Sequence, residues 1–385
     1  MLKRHLFLLL LLFRFLGISA FTLSDDATVS IFTCAPGKVL YAKFGHTAVR
    51  VLDKENKIDL VFNYGTFNFD SENFYLKFVK GETDYRLSVY GTHSFFIDYS
   101  SRARVWEQKL NLTQPEKQQL FDALLLNAEP PNRVYRYNFF FDNCSTRPHS
   151  LVEQNVAGTI TYAYSPEPRT FRQLVTQHTG KHSWDTFGID LLLGLPDDRI
   201  ATEREHFFLP LELMNFFETA QVNRNGVVSP LVEKAKIVIE NELNEVFTPW
   251  YISPIFVMSM LLLVVALLSF FLRNKSLIWL DAILFSAAGL LGVIVFFLVF
   301  FSVHPAVSPN FHLLWAHPLQ LVFVLLLPFK KLRKCLSYYQ ILTAIMLIGL
   351  MAGIFLIPQQ FNAAMYPLWA ALFLRAIFFI KKFKV

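Results

Sequence analysis

Residues 252–272 read ISPIFVMSMLLLVVALLSFFL and stop at Arg273-Asn274-Lys275. The hydrocarbon core of a bilayer takes about 20 apolar residues of helix, and this run supplies them without a formal charge. Four more apolar stretches follow, at 277–301, 313–329, 339–357 and 368–380, the third and fifth short for a span. The segments between them alternate in charge. Residues 273–275, 330–334 and 381–384 are basic, whereas 302–310 and 358–367 contain no Lys, Arg, Asp or Glu. Basic loops stay in the cytoplasm. About five helices over 251–385 therefore put the C-terminus inside and the preceding chain outside.

The N-terminus predicts the same orientation. Lys3, Arg4 and His5 precede an apolar stretch at 6–12, and Gly17-Ile18-Ser19-Ala20 ends on a small residue. This pattern predicts a signal peptide over 1–20, cleaved after Ala20; Arg14 interrupts the apolar run and argues against a permanent anchor. Cys34 lies too far downstream to be a lipoprotein acylation site. The net charge of +6 does not point to nucleic acid. Much of the excess sits at Arg273, Lys275, Lys330, Lys331, Arg333, Lys334, Lys381, Lys382 and Lys384, at the ends of apolar segments. The partner these charges predict is a membrane.

Residues 21–230 read as one outer α+β domain. Alternation at 48–52 and 59–64 predicts two strands joined by a charged turn at 53–57. Further strands are expected at 85–90 and 102–110. Thr113-Gln114-Pro115-Glu116 is a capping box with Pro near the helix start, opening a helix to about Asn127. A second helix is expected from Asn143 to about Gln154. Residues 231–250 carry mixed charges at helical spacing and read as an amphipathic connector.

The chain has three cysteines. Cys335 adjoins a basic cytoplasmic loop. Cys34 and Cys144 lie in the exported part, where a disulfide is the default. The surroundings of Cys144 suggest a different role. In Tyr137-Asn138-Phe139-Phe140-Phe141-Asp142-Asn143-Cys144-Ser145-Thr146-Arg147, an aromatic run ends in a polar turn and a helix begins at the thiol. The positive end of a helix dipole lowers a thiol pKa, and the thiolate is the nucleophile. His46, following Gly45 at the head of a strand, is the candidate base, with His93, His149, His178, His182 and His206 as alternatives on composition. Asn63, in Phe62-Asn63-Tyr64-Gly65, is the candidate to orient the imidazole; a turn residue before Gly65 is the alternative. Asn143, Tyr64 and Cys34 are candidates to line the site. No CxxC occurs, and Thr179-Gly180 separates His178 from His182, so no metal or cofactor is expected. Asp281 and Arg375, inside apolar stretches, read as snorkelling toward the cytoplasmic surface. His312, Trp315 and His317 read as anchors at the outer interface.

Several ordered motifs now coincide. Thr33-Cys34-Ala35-Pro36-Gly37, Phe44-Gly45-His46, Asn63-Tyr64-Gly65, 73–78, Asp142-Asn143-Cys144-Ser145-Thr146-Arg147, Gly188-Ile189-Asp190 with Gly194, and Phe208-Leu209-Pro210 resemble the Lnb family, the Bacteroidetes-type lipoprotein N-acyltransferases. The resemblance covers roughly 29–232, with membrane helices in the expected place after it. It implies a circularly permuted papain-like (NlpC-like) domain, whose His strand precedes its Cys helix, on a bundle in the bacterial inner membrane. It also implies acyl transfer from a phospholipid donor, through a thioester on Cys144, to the N-terminal cysteine amine of a diacylated lipoprotein. His46 would then act as base. His149 departs from the basic or polar residue expected there. Two other readings fit the residues: a membrane-anchored cysteine hydrolase with water as acceptor, and a non-enzymatic scaffold closed by a Cys34–Cys144 disulfide.

Overall fold

The alternation around His46 is carried by a mixed α+β domain. In chain order its elements are β1 (Thr28–Cys34), β2 (His46–Asp53), β3 (Ile58–Thr66), α1 (Phe74–Lys80), β4 (Asp84–Gly91), α2 (Thr92–Ser100), β5 (Val105–Lys109), α3 (Gln114–Ala128), β6 (Val134–Arg136), α4 (Thr146–Asn155), β7 (Thr159–Thr161), α5 (Phe171–Thr179), α6 (Trp184–Leu192), α7 (Pro210–Thr219), β8 (Gln221–Arg224), β9 (Val227–Pro230) and β10 (Lys236–Ile239). The computed structural model describes residues 21–67, 72–242, 247–273, 275–353 and 356–383, so the expected signal peptide over 1–20 lies outside the described residues. Seven antiparallel strands run in the order β10-β5-β1-β2-β3-β4-β6, and β7-β8-β9 make a small second sheet.

The two faces of the large sheet are buried differently. Val29, Ile31, Val49, Val51, Phe62 and Tyr64 point into a core filled by Leu120, Phe121 and Leu124 of α3, Val152 of α4 and Leu213, Phe216 and Phe217 of α7. Phe32, Cys34, Ala48, Val61 and Val105 point to the other face, under Phe95 of α2. This alternation is what a strand buried on both sides requires. The Thr113–Glu116 capping box forms at the head of α3, with both reciprocal hydrogen bonds present.

Among the described residues the membrane part has five apolar helices: α8 (Pro254–Phe271), α9 (Ile278–Phe301), α10 (Leu319–Leu326), α11 (Arg333–Ala352) and α12 (Met365–Lys382). Among the described residues three helical segments, Pro254–Phe271, Ile278–Phe301 and Lys330–Ala352, are long and apolar enough to cross a membrane by themselves. The expected span at 313–329 is not continuous. A 3-10 turn at Phe311–Leu314 precedes α10, which is only eight residues long. Pro318 stands at its start and Pro328 just beyond its end, and proline lacks the N–H that a helix interior needs.

Three other expectations are corrected. The described residues of the expected connector, 231–242 and 247–250, do not form an amphipathic helix. Lys236–Ile239 pairs with β5, Lys236 opposite Glu107 and Ile237 opposite Trp106, so the outer domain continues past residue 230. β-branched Ile237, Val238 and Ile239 suit a pleated edge, which overrides the helical spacing of the charges. Asp281 and Arg375 do not snorkel. Arg375 Nε donates to Asp281 Oδ1 at 2.8 Å and Nη1 to Ser269 Oγ at 2.8 Å, and both charged residues are buried. A mutual ion pair removes the need to reach water. Nor is Trp315 an interface anchor, because it is buried and donates to His312 Nδ1 at 2.9 Å.

A polar seam fastens the outer domain to the bundle. The Asn310 side chain donates to the carbonyls of Leu191 at 3.1 Å and Leu192 at 3.3 Å, and the Gly194 N–H donates to the Ala306 carbonyl at 2.8 Å. Asn362 Nδ2 donates to Asp190 Oδ2 at 2.9 Å, while Arg172 pairs with Asp190 and Asp198 from the other side. A Cβ at position 194 would lie 2.5 Å from the Pro309 carbonyl oxygen, so glycine is required there. The Gly188-Ile189-Asp190 and Gly194 motifs thus serve the seam.

Candidate active site

His46 starts β2, directly after Gly45. Gly45 has φ +79°, and a Cβ there would meet the Cys34 carbonyl oxygen at 2.6 Å. Only glycine makes this turn while β1 lies so close. Cys144 lies two residues before the start of α4, next to its N-cap Ser145. Asn143 builds this helix start: its Oδ1 accepts from the Ser145 N–H at 2.8 Å and the Thr146 N–H at 3.0 Å. Its Nδ2 donates to the carbonyls of Phe139 and Phe208, each at 2.8 Å. Every polar atom of that amide is occupied. Asn143 therefore does not line the site with a free group; it positions Cys144.

Cys144 and His46 stand close enough to act on each other's protonation. Burial by itself would push the thiol up. The charge and hydrogen bond of His46 outweigh it, and with backbone N–H groups of Thr47 and Cys144 directed at the sulfur they bring the Cys144 pKa below its ordinary value. Loss of water around the imidazole opposes its charge, but the Cys144 thiolate, with hydrogen bonds to Cys144 and Asn63, raises His46 above its ordinary value. The two shifts favour a thiolate–imidazolium pair, and they are properties of the pair.

Asn63 completes the arrangement. Its Oδ1 accepts from His46 Nε2 at 2.5 Å, and its Nδ2 donates to the Tyr90 hydroxyl at 2.5 Å. With Nε2 engaged, Nδ1 is the ring nitrogen left to exchange a proton with Cys144. The strand register explains the contact. Val49 lies opposite Phe62, so one step further Asn63 stands beside Ala48, on the same face as His46. β3 is irregular after Asn63, and at Gly65, with φ +85°, a Cβ would sit 3.3 Å from Cys144 Cβ. Glycine lets the helix start approach the strand.

The remaining predicted residues lie elsewhere. Tyr64 alternates away from Asn63 into the opposite core and accepts from Asn127 Nδ2 at 3.0 Å, so it does not line the site. Cys34 stands opposite His46 in the β1–β2 register and is buried beside α2. Burial, reinforced by the Cys144 charge, pushes its thiol well above its ordinary value, which keeps it protonated and unreactive. Cys34 and Cys144 are both free cysteines, which removes the disulfide from the scaffold reading. Of the alternative histidines, His149 bonds Tyr162 and His178 stacks on Phe44. Among the described residues no cluster of three or more His, Cys, Asp or Glu is placed to hold a metal. Two neighbours were not foreseen: Tyr90, which holds Asn63, and Tyr99, whose ring stacks on His46 with centroids 6.0 Å apart. Both become visible only through the register of β3 on β4 and the placement of α2.

Comparison with protein families identifies the two halves. The Lnb N-terminal periplasmic domain matches residues 19–177, and the Lnb transmembrane domain matches residues 245–384. The chain belongs to the Lnb family. The periplasmic Lnb domain contains His46, Asn63 and Cys144, and the transmembrane Lnb domain contains α8 through α12. The outer placement expected for the sheet domain agrees with the periplasmic description. No curated protein and no solved structure matches the chain.

Proposed function

We propose that this Lnb protein is a lipoprotein N-acyltransferase of the inner membrane, with a permuted papain-like catalytic domain in the periplasm and its C-terminus in the cytoplasm. Cys144 is the nucleophile and acyl carrier, His46 the general acid–base, and Asn63 the residue that orients the imidazole. The observation that carries the reading is the chain of contacts Cys144–His46–Asn63, with a thiol lowered despite its burial.

The thiolate attacks an ester carbonyl of a phospholipid, forming a C–S bond and a tetrahedral oxyanion. A backbone N–H beside Cys144 at the start of α4 serves as a donor for that charge. The C–O bond to glycerol then breaks and the imidazolium protonates the departing alkoxide, leaving a thioester and a lysophospholipid. In the second half the terminal amine of a diacylated lipoprotein attacks the thioester. His46 takes the amine proton, the C–S bond breaks, and the amide forms as the thiolate–imidazolium pair is restored. Both substrates are bilayer lipids. A site held at the membrane avoids moving an acyl chain into water at about 0.8 kcal/mol per CH₂.

Mass spectrometry of lipoproteins from cells with the gene, without it, and with Cys144→Ala tests the transfer. The expected result is one added acyl chain at the N-terminal cysteine only with the intact protein. Identical lipoproteins in all three would refute it, and release of free fatty acid from phospholipid instead would identify a hydrolase.

A further inference from the structure

α1 is a short helix with an unusual surface. Tyr75, Leu76 and Phe78 are 72%, 51% and 51% exposed, Lys77 and Lys80 lie in its last turn, and it contains no acidic residue. Such a patch is costly in water and suits an interface, where aromatic residues and snorkelling lysines collect. Its height is fixed by the bundle. The Val303 N–H donates to the Lys80 carbonyl at 2.8 Å, and His304 Nε2 donates to the Phe78 carbonyl at 2.8 Å. These residues directly follow Phe301, the last residue of α9, so α1 lies where a membrane helix leaves the bilayer. Phe300, Phe301 and Val303 are exposed as well, and they continue the apolar patch from α1 onto the bundle.

The same patch leads to Cys144. Val39 and Leu40, exposed on the turn before His46, form a second apolar edge. Behind α1 an aromatic wall runs inward. Phe67 stacks on Phe74 with centroids 5.8 Å apart and lies 4.9 Å from the Tyr85 ring. Tyr85 stacks on Tyr137 at 4.1 Å. Tyr137 and Cys144 flank Gly65, 3.7 and 3.3 Å from the position of its missing Cβ.

We propose that α1 and the Val39–Leu40 turn are a lip immersed in the outer leaflet, and that the Phe67–Tyr85–Tyr137 wall guides an acyl chain from it to Cys144. Immersion follows from the anchoring of α1 on the bundle; the guiding role rests on the acyltransferase reading.

The two parts separate experimentally in the full chain reconstituted in vesicles of phosphatidylcholine and phosphatidylglycerol. In a Cys144→Ala, Cys335→Ser background, an environment-sensitive fluorophore is placed by Tyr75→Cys, Leu76→Cys or, as a control on the outer helix α3, Asp122→Cys. Lipids with brominated acyl chains should quench the first two at least about twofold and leave the third unchanged. Equal quenching at all three sites, or none at any, overturns immersion whether or not the protein transfers acyl chains. For the second part, Leu76→Glu with Phe78→Glu should slow acylation of Cys144 from vesicle phospholipid by on the order of tenfold, while alkylation of Cys144 by water-soluble iodoacetamide keeps its rate. Equal loss of both reactions would make α1 part of the site's packing and overturn the lip. Quenching as expected in the labelled proteins, together with a parent protein that is never acylated, would leave immersion standing and refute the acyltransferase reading.

Discussion

Replacing Asn63 by Ala removes the acceptor that His46 Nε2 meets at 2.5 Å while leaving the Cys144 side untouched. The bond is made to a ring that carries charge in the reactive state, and hydrogen bonds to charged groups contribute roughly 1.5–3 kcal/mol. One pKa unit corresponds to about 1.36 kcal/mol. The thiolate–imidazolium pair should therefore lose about one to two units of its stabilisation, with water entering the truncated site setting the lower end. The sign follows from the two opposing causes at Cys144. Burial raises the thiol and His46 lowers it, so weakening the imidazolium lets burial gain and moves the acid limb of thiol reactivity to higher pH. Below that limb, alkylation by iodoacetamide should slow by roughly 10- to 100-fold. The assay is the pH–rate profile of Cys144 alkylation read by intact mass in a Cys335→Ser background. Tyr90→Phe, which removes the hydroxyl that holds Asn63 Nδ2, should shift the limb by a smaller amount in the same direction. A profile unchanged by Asn63→Ala would refute the assignment of Asn63 as the residue that sets the imidazole.

Cys34→Ser should leave acyl transfer within about twofold of the parent, since the Cys34 thiol is held protonated by burial and substitutions away from reacting groups act mainly on stability; loss of Cys144 alkylation in this variant would show that Cys34 takes part. Gly194→Val forces a side chain against the Pro309 and Val307 carbonyls and should open the seam, detected as faster proteolysis between the outer domain and the bundle with the Cys144 alkylation rate retained. Asp281→Ala leaves Arg375 buried without its carboxylate and should destabilise the bundle by about 3–5 kcal/mol, seen as a lower thermal midpoint in detergent. Replacing both residues by Leu should recover most of that loss, and failure to recover would assign the pair a role beyond charge balance.

The membrane half and the reactive pair were legible for different reasons. Apolar length and the alternation of loop charge depend on composition, and that signal survives errors in helix boundaries. Asn63 was within reach because the 53–57 turn sets the pairing of β2 with β3, and pairing decides which residues share a face. Tyr64, one residue on, was misplaced by the same period of two. Asn143 looked like a site residue because it adjoins Cys144, but its hydrogen bonds show a cap. The pairing of Asp281 with Arg375 joins residues 94 positions apart, and nothing local records it. β10 reads as a helix because charge spacing is visible in sequence whereas the open edge of β5 is not. The role of Asp190 was likewise hidden, because its partner Asn362 belongs to a loop between membrane helices.

In the proposed reaction Cys144 carries an acyl chain between the two half-reactions. The most direct test is the intact mass of the full chain after incubation with phospholipid vesicles, followed by peptide mapping. The prediction is a mass increase of one fatty acyl group on Cys144, removed by neutral hydroxylamine as a thioester should be, discharged on adding a diacylated lipopeptide, and absent in Cys144→Ala and His46→Ala. An acyl group on another residue, or none on Cys144 under conditions in which the lipopeptide is still N-acylated, would contradict it.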